Sequence, residues 1–140
     1  MSVATVHSEL RVRGNGIFDL LEGEYVIVSL LPGTPVSLPS TGALRVLIAD
    51  PQEITLILEA QTWQGIAHHH PEAKANRNYR AIRLSQDFPL ETVGVMAKLT
   101  SALAQAGVSI MAYSTFKTDV VLVREWELSK ALGALWDLRF

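Results

Sequence analysis

The chain has 140 residues, 49% of them hydrophobic and 19% charged, with a formal net charge of −2 and no cysteine. That length suits one compact domain or two small ones sharing a core, and the apolar fraction argues against disorder. The charge leaves no electrostatic footprint for nucleic acid, and the missing cysteines exclude disulfides, thiol catalysis and zinc–thiolate sites.

No apolar run reaches the roughly eighteen residues a membrane helix needs. The opening stretch MSVATVHSELRVRG has no basic segment followed by an apolar one, so no signal peptide is expected, and the chain reads as a soluble cytoplasmic protein without a membrane partner. Val6–Arg13 suits an extended segment and Gly14-Asn15-Gly16 a turn, while Ile17–Leu21 has room for a helical turn or two. Tyr25–Leu31 is a strongly apolar strand that stops at Pro32-Gly33, and PGTPVSLPSTG is a loop by composition. Leu44–Ala49 and Ile54–Glu59 are two further strands around Asp50-Pro51-Gln52, a natural turn because proline fixes φ. Gln61–Asn78 reads as a connection, anchored at its start by Trp63 and Ile66 and polar thereafter.

The second half switches between the two hydrophobic periods. Tyr79–Leu84 is a strand. Met96, Leu99, Leu103 and Ala106 step by threes and fours, which stacks one helical stripe, and Gly107 stands at the left-handed position that ends a helix. Val108, Ile110 and Ala112 then alternate with Ser109, Met111 and Tyr113, so the chain turns extended. Ser114–Thr118 is a polar turn, Val120–Val123 a compact β-branched and aliphatic run, and Leu128, Ala131, Leu132 and Leu135 mark a second helical face. The order β-α-β-β-α is that of a split βαβ unit in a ferredoxin-like α+β sandwich.

Motifs for catalysis are missing. Gly14-Asn15-Gly16 lacks a third glycine and a following helix, and there is neither a phosphate-binding loop nor a nucleophile elbow. The carboxylates are scattered, with no pair spaced for acid–base work. His7 reads as a surface residue. His68, His69 and His70 invite a metal reading, but neighbours on an extended chain point apart and no further ligand cluster completes a shell, so a solvated loop is the better reading. The expectation is a non-enzyme with no cofactor and no metal site.

Two segments have chemistry to offer. Phe88-Pro89-Leu90-Glu91-Thr92-Val93-Gly94 enters a helix, whose unpaired N–H groups and positive dipole end suit a carboxylate. Gly94 permits close approach, and Thr92 either caps the helix or donates to a ligand. The turn Ser114–Asp119 adds three hydroxyls and a carboxylate that can hold an ammonium or guanidinium. An ordinary N-cap and an ordinary hairpin turn account for the same residues.

The helix-entry loop, the alternating strand after Ala106-Gly107 and the turn STFKTD followed by VVLVRE resemble ACT domains, regulatory modules that bind amino acids, often where two modules meet. The likeness is nearest to the tandem-ACT subfamily that includes the CASTOR arginine sensors. It is strongest over residues 79–136 and continues more weakly into LRVLIADPQEITLILEA. The resemblance implies two ferredoxin-like βαββαβ ACT modules in tandem, a reduced one over residues 1–70 and a complete one over 71–140. It points to Pro89, Thr92, Val93, Gly94 and Val95 in the loop and to Thr115, Phe116, Thr118 and Asp119 in the turn as ligand-binding residues. Only one module is complete, so the resemblance implies a homodimer in which Ser109 and Ile110 of one subunit close the site of the other. The subfamily has an acidic residue where Thr92 stands, and half of a carboxylate pair suited to a guanidinium is therefore absent; a smaller or neutral amino acid fits at least as well as arginine. The implied function is a free-amino-acid sensor or regulatory module acting through a separate protein partner. The alternative is an assembly module with no small-molecule ligand.

Overall fold

A computed structural model describes residues 17–84, 89 and 91–140. The segment Val6–Arg13 and the turn at Gly14-Asn15-Gly16 lie outside the described residues. The strands are β1 (Phe18–Leu20), β2 (Tyr25–Leu30), β3 (Arg45–Ala49), β4 (Ile54–Glu59), β5 (Lys74–Leu84), β6 (Ile110–Ser114) and β7 (Asp119–Arg124). The helices are α1 (Ala60–Ile66), α2 (Val95–Gln105) and α3 (Leu128–Leu135), with single 3₁₀ turns at Ala67–His69 and Glu125–Glu127. The fold is a mixed α+β one. The chain groups into two compact units, one formed by residues 23–79 and the other by residues up to 22 together with 80–140.

In the unit of residues 23–79 the strand order is β3-β4-β2-β5. β4 pairs antiparallel with β2 from Tyr25↔Glu59 to Leu30↔Ile54, and β3 pairs antiparallel with β4 from Arg45↔Leu58 to Ala49↔Ile54. Alternation sends Val26, Val28 and Leu30 of β2 and Ile54, Leu56 and Leu58 of β4 to one face, where they bury Trp63 of α1. The turn between β3 and β4 closes as the Asp50-Pro51 pair predicts: Gln52 and Glu53 N–H donate to Asp50 Oδ1 at 2.7 and 3.0 Å.

The connection read over Gln61–Asn78 is replaced by α1 and by the first half of β5. Trp63 and Ile66 anchor it as a helical pair one turn apart; Gly65 and the polar residues around them hide the period. The polar run from Lys74 onward is a strand because it needs only one buried flank. Ala75 is half-buried opposite Val28 while Lys74, Asn76, Arg77 and Asn78 are exposed. A register shift between Tyr25↔Tyr79 and Ile27↔Asn76 makes a bulge, and Asn78 takes φ 66° there, a conformation asparagine tolerates better than most residues.

In the other unit the order is β6-β7-β5-β1. β1 pairs antiparallel with the end of β5 (Phe18↔Leu84 to Leu20↔Ile82), and β6 antiparallel with β7 (Ile110↔Val123 to Ser114↔Asp119). Ile17–Leu21 is thus a strand segment and not the helical turn its length suggests. Phe18 and Leu20 are buried and Asp19 points the other way, an alternation too brief to read in five residues. The helical stripes are confirmed. Leu99 and Leu103 of α2 and Ala131 and Leu135 of α3 are buried with Ile82, Leu84, Val121 and Val123, and Met96, Ala106, Leu128 and Leu132 pack at the margin. Gly107, at φ 75°, ends α2 in a Schellman motif: its N–H donates to Ala104 O and the Val108 N–H to Leu103 O, both at 3.0 Å. Val108 is buried and Ile110 half-buried, whereas Ala112 is exposed, so the alternation expected after Gly107 holds for its first two members.

Candidate functional site

The unit of residues 80–140 carries a cleft of about 170 Å³ lined by Leu84, Pro89, Thr92, Val95, Met96, Ser114, Thr115, Phe116, Lys117, Thr118 and Asp119. One wall is the segment that enters α2, the other the turn between β6 and β7.

The first wall is shaped by backbone conformation. Thr92 N–H donates to Pro89 O at 3.0 Å, which closes a tight turn before the helix. Thr92 is not the helix cap. That position belongs to Gly94, at φ 88°, with no side-chain cap bond. An added Cβ at Gly94 would meet nothing within 4 Å, so glycine is required here for its left-handed φ and not for space. Gly94 O accepts from Lys98 N–H at 3.0 Å and starts the helical ladder. The N–H groups of the first turn have no partner within the helix, and the dipole end faces the cleft where Val95 and Met96 line it.

The turn forms the second wall and is locked by its own hydroxyls. Thr115 N–H donates to Thr118 O at 2.7 Å, Thr115 Oγ1 donates to the same carbonyl at 3.1 Å, and Thr118 N–H donates to Thr115 Oγ1 at 3.1 Å. Thr118 Oγ1 donates to Leu84 O, which ties the turn to β5. Asp119 accepts from Ser114 Oγ at 2.5 Å through Oδ1, a bond that fixes the carboxylate across the strand end. Lys117 makes no ion pair with Asp119; the lysine is exposed and Asp119 half-buried.

The structure brings Pro89, Thr92, Val95, Thr115, Phe116, Thr118 and Asp119 into this one cleft. Val93 and Gly94 are exposed and lie outside its lining, and Val93 is 95% exposed. Ser109 and Ile110 stand at the start of β6, apart from the cleft of their own chain. Met96 and Ser114 also line the cleft, though neither is among the ligand-binding residues that the resemblance points to. Met96 reads as a member of the core stripe, and Ser114 as the first residue of the polar turn. The signal that could have found Ser114 is its register position opposite Asp119.

The three histidines are not gathered into a metal site. His68 and His69 sit in the 3₁₀ turn with ring centroids 3.9 Å apart, and His70 stacks on Trp63 at 6.0 Å. Among the described residues no group of three or more His, Cys, Asp or Glu side chains converges for a metal ion. No helix among them is long and apolar enough to cross a membrane.

Residues 74–137, from β5 through α3, match the ACT domain family model. No curated protein matches the chain. A solved structure from Agrobacterium tumefaciens is 21% identical, with 83% of each chain covered and a TM-score of 0.68. A protein of unknown function from Vibrio cholerae, described as a possible transport protein, is 23% identical over 98% of each chain with a TM-score of 0.64. The ligand-free regulatory subunit of aspartate kinase from Thermus thermophilus is 15% identical, covering 84% of this chain and 94% of that one, with a TM-score of 0.62. At these identities the likeness is one of fold.

Proposed function

We propose that the chain is a non-catalytic regulatory or sensor module that binds a free amino acid between the ACT domains of a homodimer. The observation that carries this reading is the cleft that sets the Asp119 carboxylate opposite the start of α2. A zwitterion needs an anionic partner for its ammonium group and N–H donors for its carboxylate, within a few ångströms of each other. Asp119 supplies the first through a charge-assisted hydrogen bond. The amides of Val93–Val95 supply the second at the positive end of the helix, Val95 from the cleft lining and Val93 and Gly94 from just outside it. Ser109 and Ile110 of the second subunit close the site, and β6, which ends the strand order of its unit, is the edge along which the subunits meet. The small cleft volume and the single carboxylate favour a compact amino acid over arginine. The tandem reading, a reduced ACT-like module over 1–70 followed by an ACT domain over 71–140, belongs to the same proposal, as do a cytoplasmic location and an output through a separate regulated protein. Ligand binding changes that output only if it favours one arrangement of the subunits over another.

The assembly reading has one observation in its favour. Val93 and Phe116, 95% and 78% exposed, stand at the two rims of the cleft. A protein surface covering both would leave the cleft closed and empty.

Thermal unfolding of the full chain against each of the twenty amino acids separates the two. A ligand at a hundredfold excess over Kd stabilises by about 2.7 kcal/mol. One amino acid, or a close pair, is expected to raise the midpoint by roughly 5–15 °C. A flat response across all twenty leaves the assembly reading.

A further inference from the structure

A second cleft of about 330 Å³ lies in the same unit, lined by Asp19, Arg83, Leu84, Tyr113, Thr115, Lys117, Thr118 and Val120. The strand registers show how it is made. Ile82 and Leu84 of β5 point to the helix-covered core, so Arg83 points to the opposite face, directly across from Asp19 of β1. On β7, Val121 and Val123 face the core, which sends Val120 to Arg83's face, and Val120 pairs with Tyr113 of β6. Asp19, Arg83, Val120 and Tyr113 therefore share one face, with the buried Val120 as an apolar floor. Lys117 overhangs from the β6–β7 turn.

The donor inventory of this cleft is selective. The Thr115 and Thr118 hydroxyls already donate to Thr118 O and Leu84 O, so toward a ligand they are acceptors only. The available donors are the Arg83 guanidinium, the Lys117 ammonium and the Tyr113 hydroxyl. Burial pushes the Tyr113 pKa up, against a smaller opposing pull from Arg83, so the phenol stays protonated and able to donate at neutral pH. Two cations stand against one carboxylate, Asp19. A planar guanidinium fork, a point-charge ammonium and a hydroxyl over an apolar floor are complementary to an oxyanion carried on a small organic body.

We infer that this face of the ACT unit is a second ligand site, distinct from the Asp119 cleft, that binds the carboxylate or phosphate group of a small anionic molecule through Arg83, Lys117 and Tyr113. Thr115, Lys117 and Thr118 line both clefts, so the β6–β7 turn is a shared wall and the two occupancies are physically linked. The inference does not depend on the amino-acid reading, because none of its three donors belongs to the proposed amino-acid contacts.

The test is calorimetric titration of the full chain with inorganic phosphate and, separately, with succinate, at ionic strength held constant with sodium chloride so that screening does not change. Saturable binding of one of the two is expected, and which one binds assigns the oxyanion as phosphate or carboxylate. Arg83→Gln is expected to weaken that binding at least tenfold and Lys117→Gln several-fold, with Lys74→Gln, at an exposed lysine of the other unit, leaving it within twofold. Tyr113→Phe, which preserves ring packing, is expected to weaken it about three- to tenfold and serves if Arg83→Gln does not fold. Saturation by neither anion overturns the inference, and so does binding that survives all three substitutions unchanged.

Discussion

The two compact units share a strand arrangement, β3-β4-β2-β5 in one and β6-β7-β5-β1 in the other, once β1, earliest in the chain, is set in the place of the last strand; they differ in how the first two strands of that arrangement are joined. In the unit of residues 80–140 the link from β5 to β6 is α2, entered through a left-handed glycine. In the unit of residues 23–79 the link from β2 to β3 is the loop of residues 31–44, and Pro32, Pro35 and Pro39 forbid a helix there because each lacks an N–H and clashes with the preceding turn. The consequence is chemical. A helix start beside a polar hairpin turn gives one unit a cleft with a dipole end and a carboxylate. The other unit carries grooves of mixed lining instead, one with Leu30, Leu31, Thr34, His69, His70, Pro71, Glu72 and Ala73 and another with Thr34, Pro35, Ser37, Ile66, His69 and His70. The same strand arrangement supports such a cleft or withholds it according to one connection.

The largest effects come from cutting the core of either unit. Trp63→Ala is expected to cost about 3–5 kcal/mol and Leu103→Ala about 2–5 kcal/mol, since both side chains are buried at 2% exposure or less. Urea unfolding followed by circular dichroism measures both. If Trp63→Ala costs under about 1 kcal/mol, the packing of α1 on β2 and β4 is not what holds that unit together.

Glycine substitutions sharpen the comparison between the helices. Gly94→Ala forces a side chain into φ 88° and is expected to destabilise by roughly 1–2 kcal/mol. Gly65→Ala, inside α1 with nothing within 4 Å of the new Cβ, is expected to stabilise by roughly 0.5–1 kcal/mol. Equal signs for the two, read from the same denaturation curves, contradict the assignment of Gly94 as a conformational cap.

The smallest effect is a pH dependence. The Tyr113 pKa is raised in the folded protein by burial, so the folded state holds its proton more tightly than the unfolded state does. Stability is full below the ordinary tyrosine pKa near 10 and falls as pH rises through the folded value. Tyr113→Phe is expected to flatten the alkaline limb of a plot of unfolding free energy against pH, leaving the neutral region almost unchanged.

The second half was legible because its periods are long and clean. Leu99, Leu103, Ala131 and Leu135 announce two helical faces, and Gly107 marks an end that geometry confirms. The first half hid α1 and the start of β5, because Gly65 and a polar run obscure elements held by a single buried flank. β1 was illegible for a different reason: its pairing with Leu84 and Ile82 spans more than sixty residues of sequence, and no local pattern in FDL encodes it. At the cleft, residue types and the family resemblance located both walls. They did not show that Thr92 gives up the cap to Gly94, since only φ distinguishes the two, or that Ser114 would hold Asp119.

The central claim is that Asp119 and the start of α2 hold a free amino acid. Calorimetric titration of wild-type chain and of Asp119→Ala with the amino acid that most raises the unfolding midpoint tests it directly. The account predicts saturation near one ligand per chain for wild type and a loss of affinity of tenfold or more on removing the carboxylate. Asp119→Ala with unchanged affinity would contradict it, and the ligand would then have to be sought away from the β6–β7 turn.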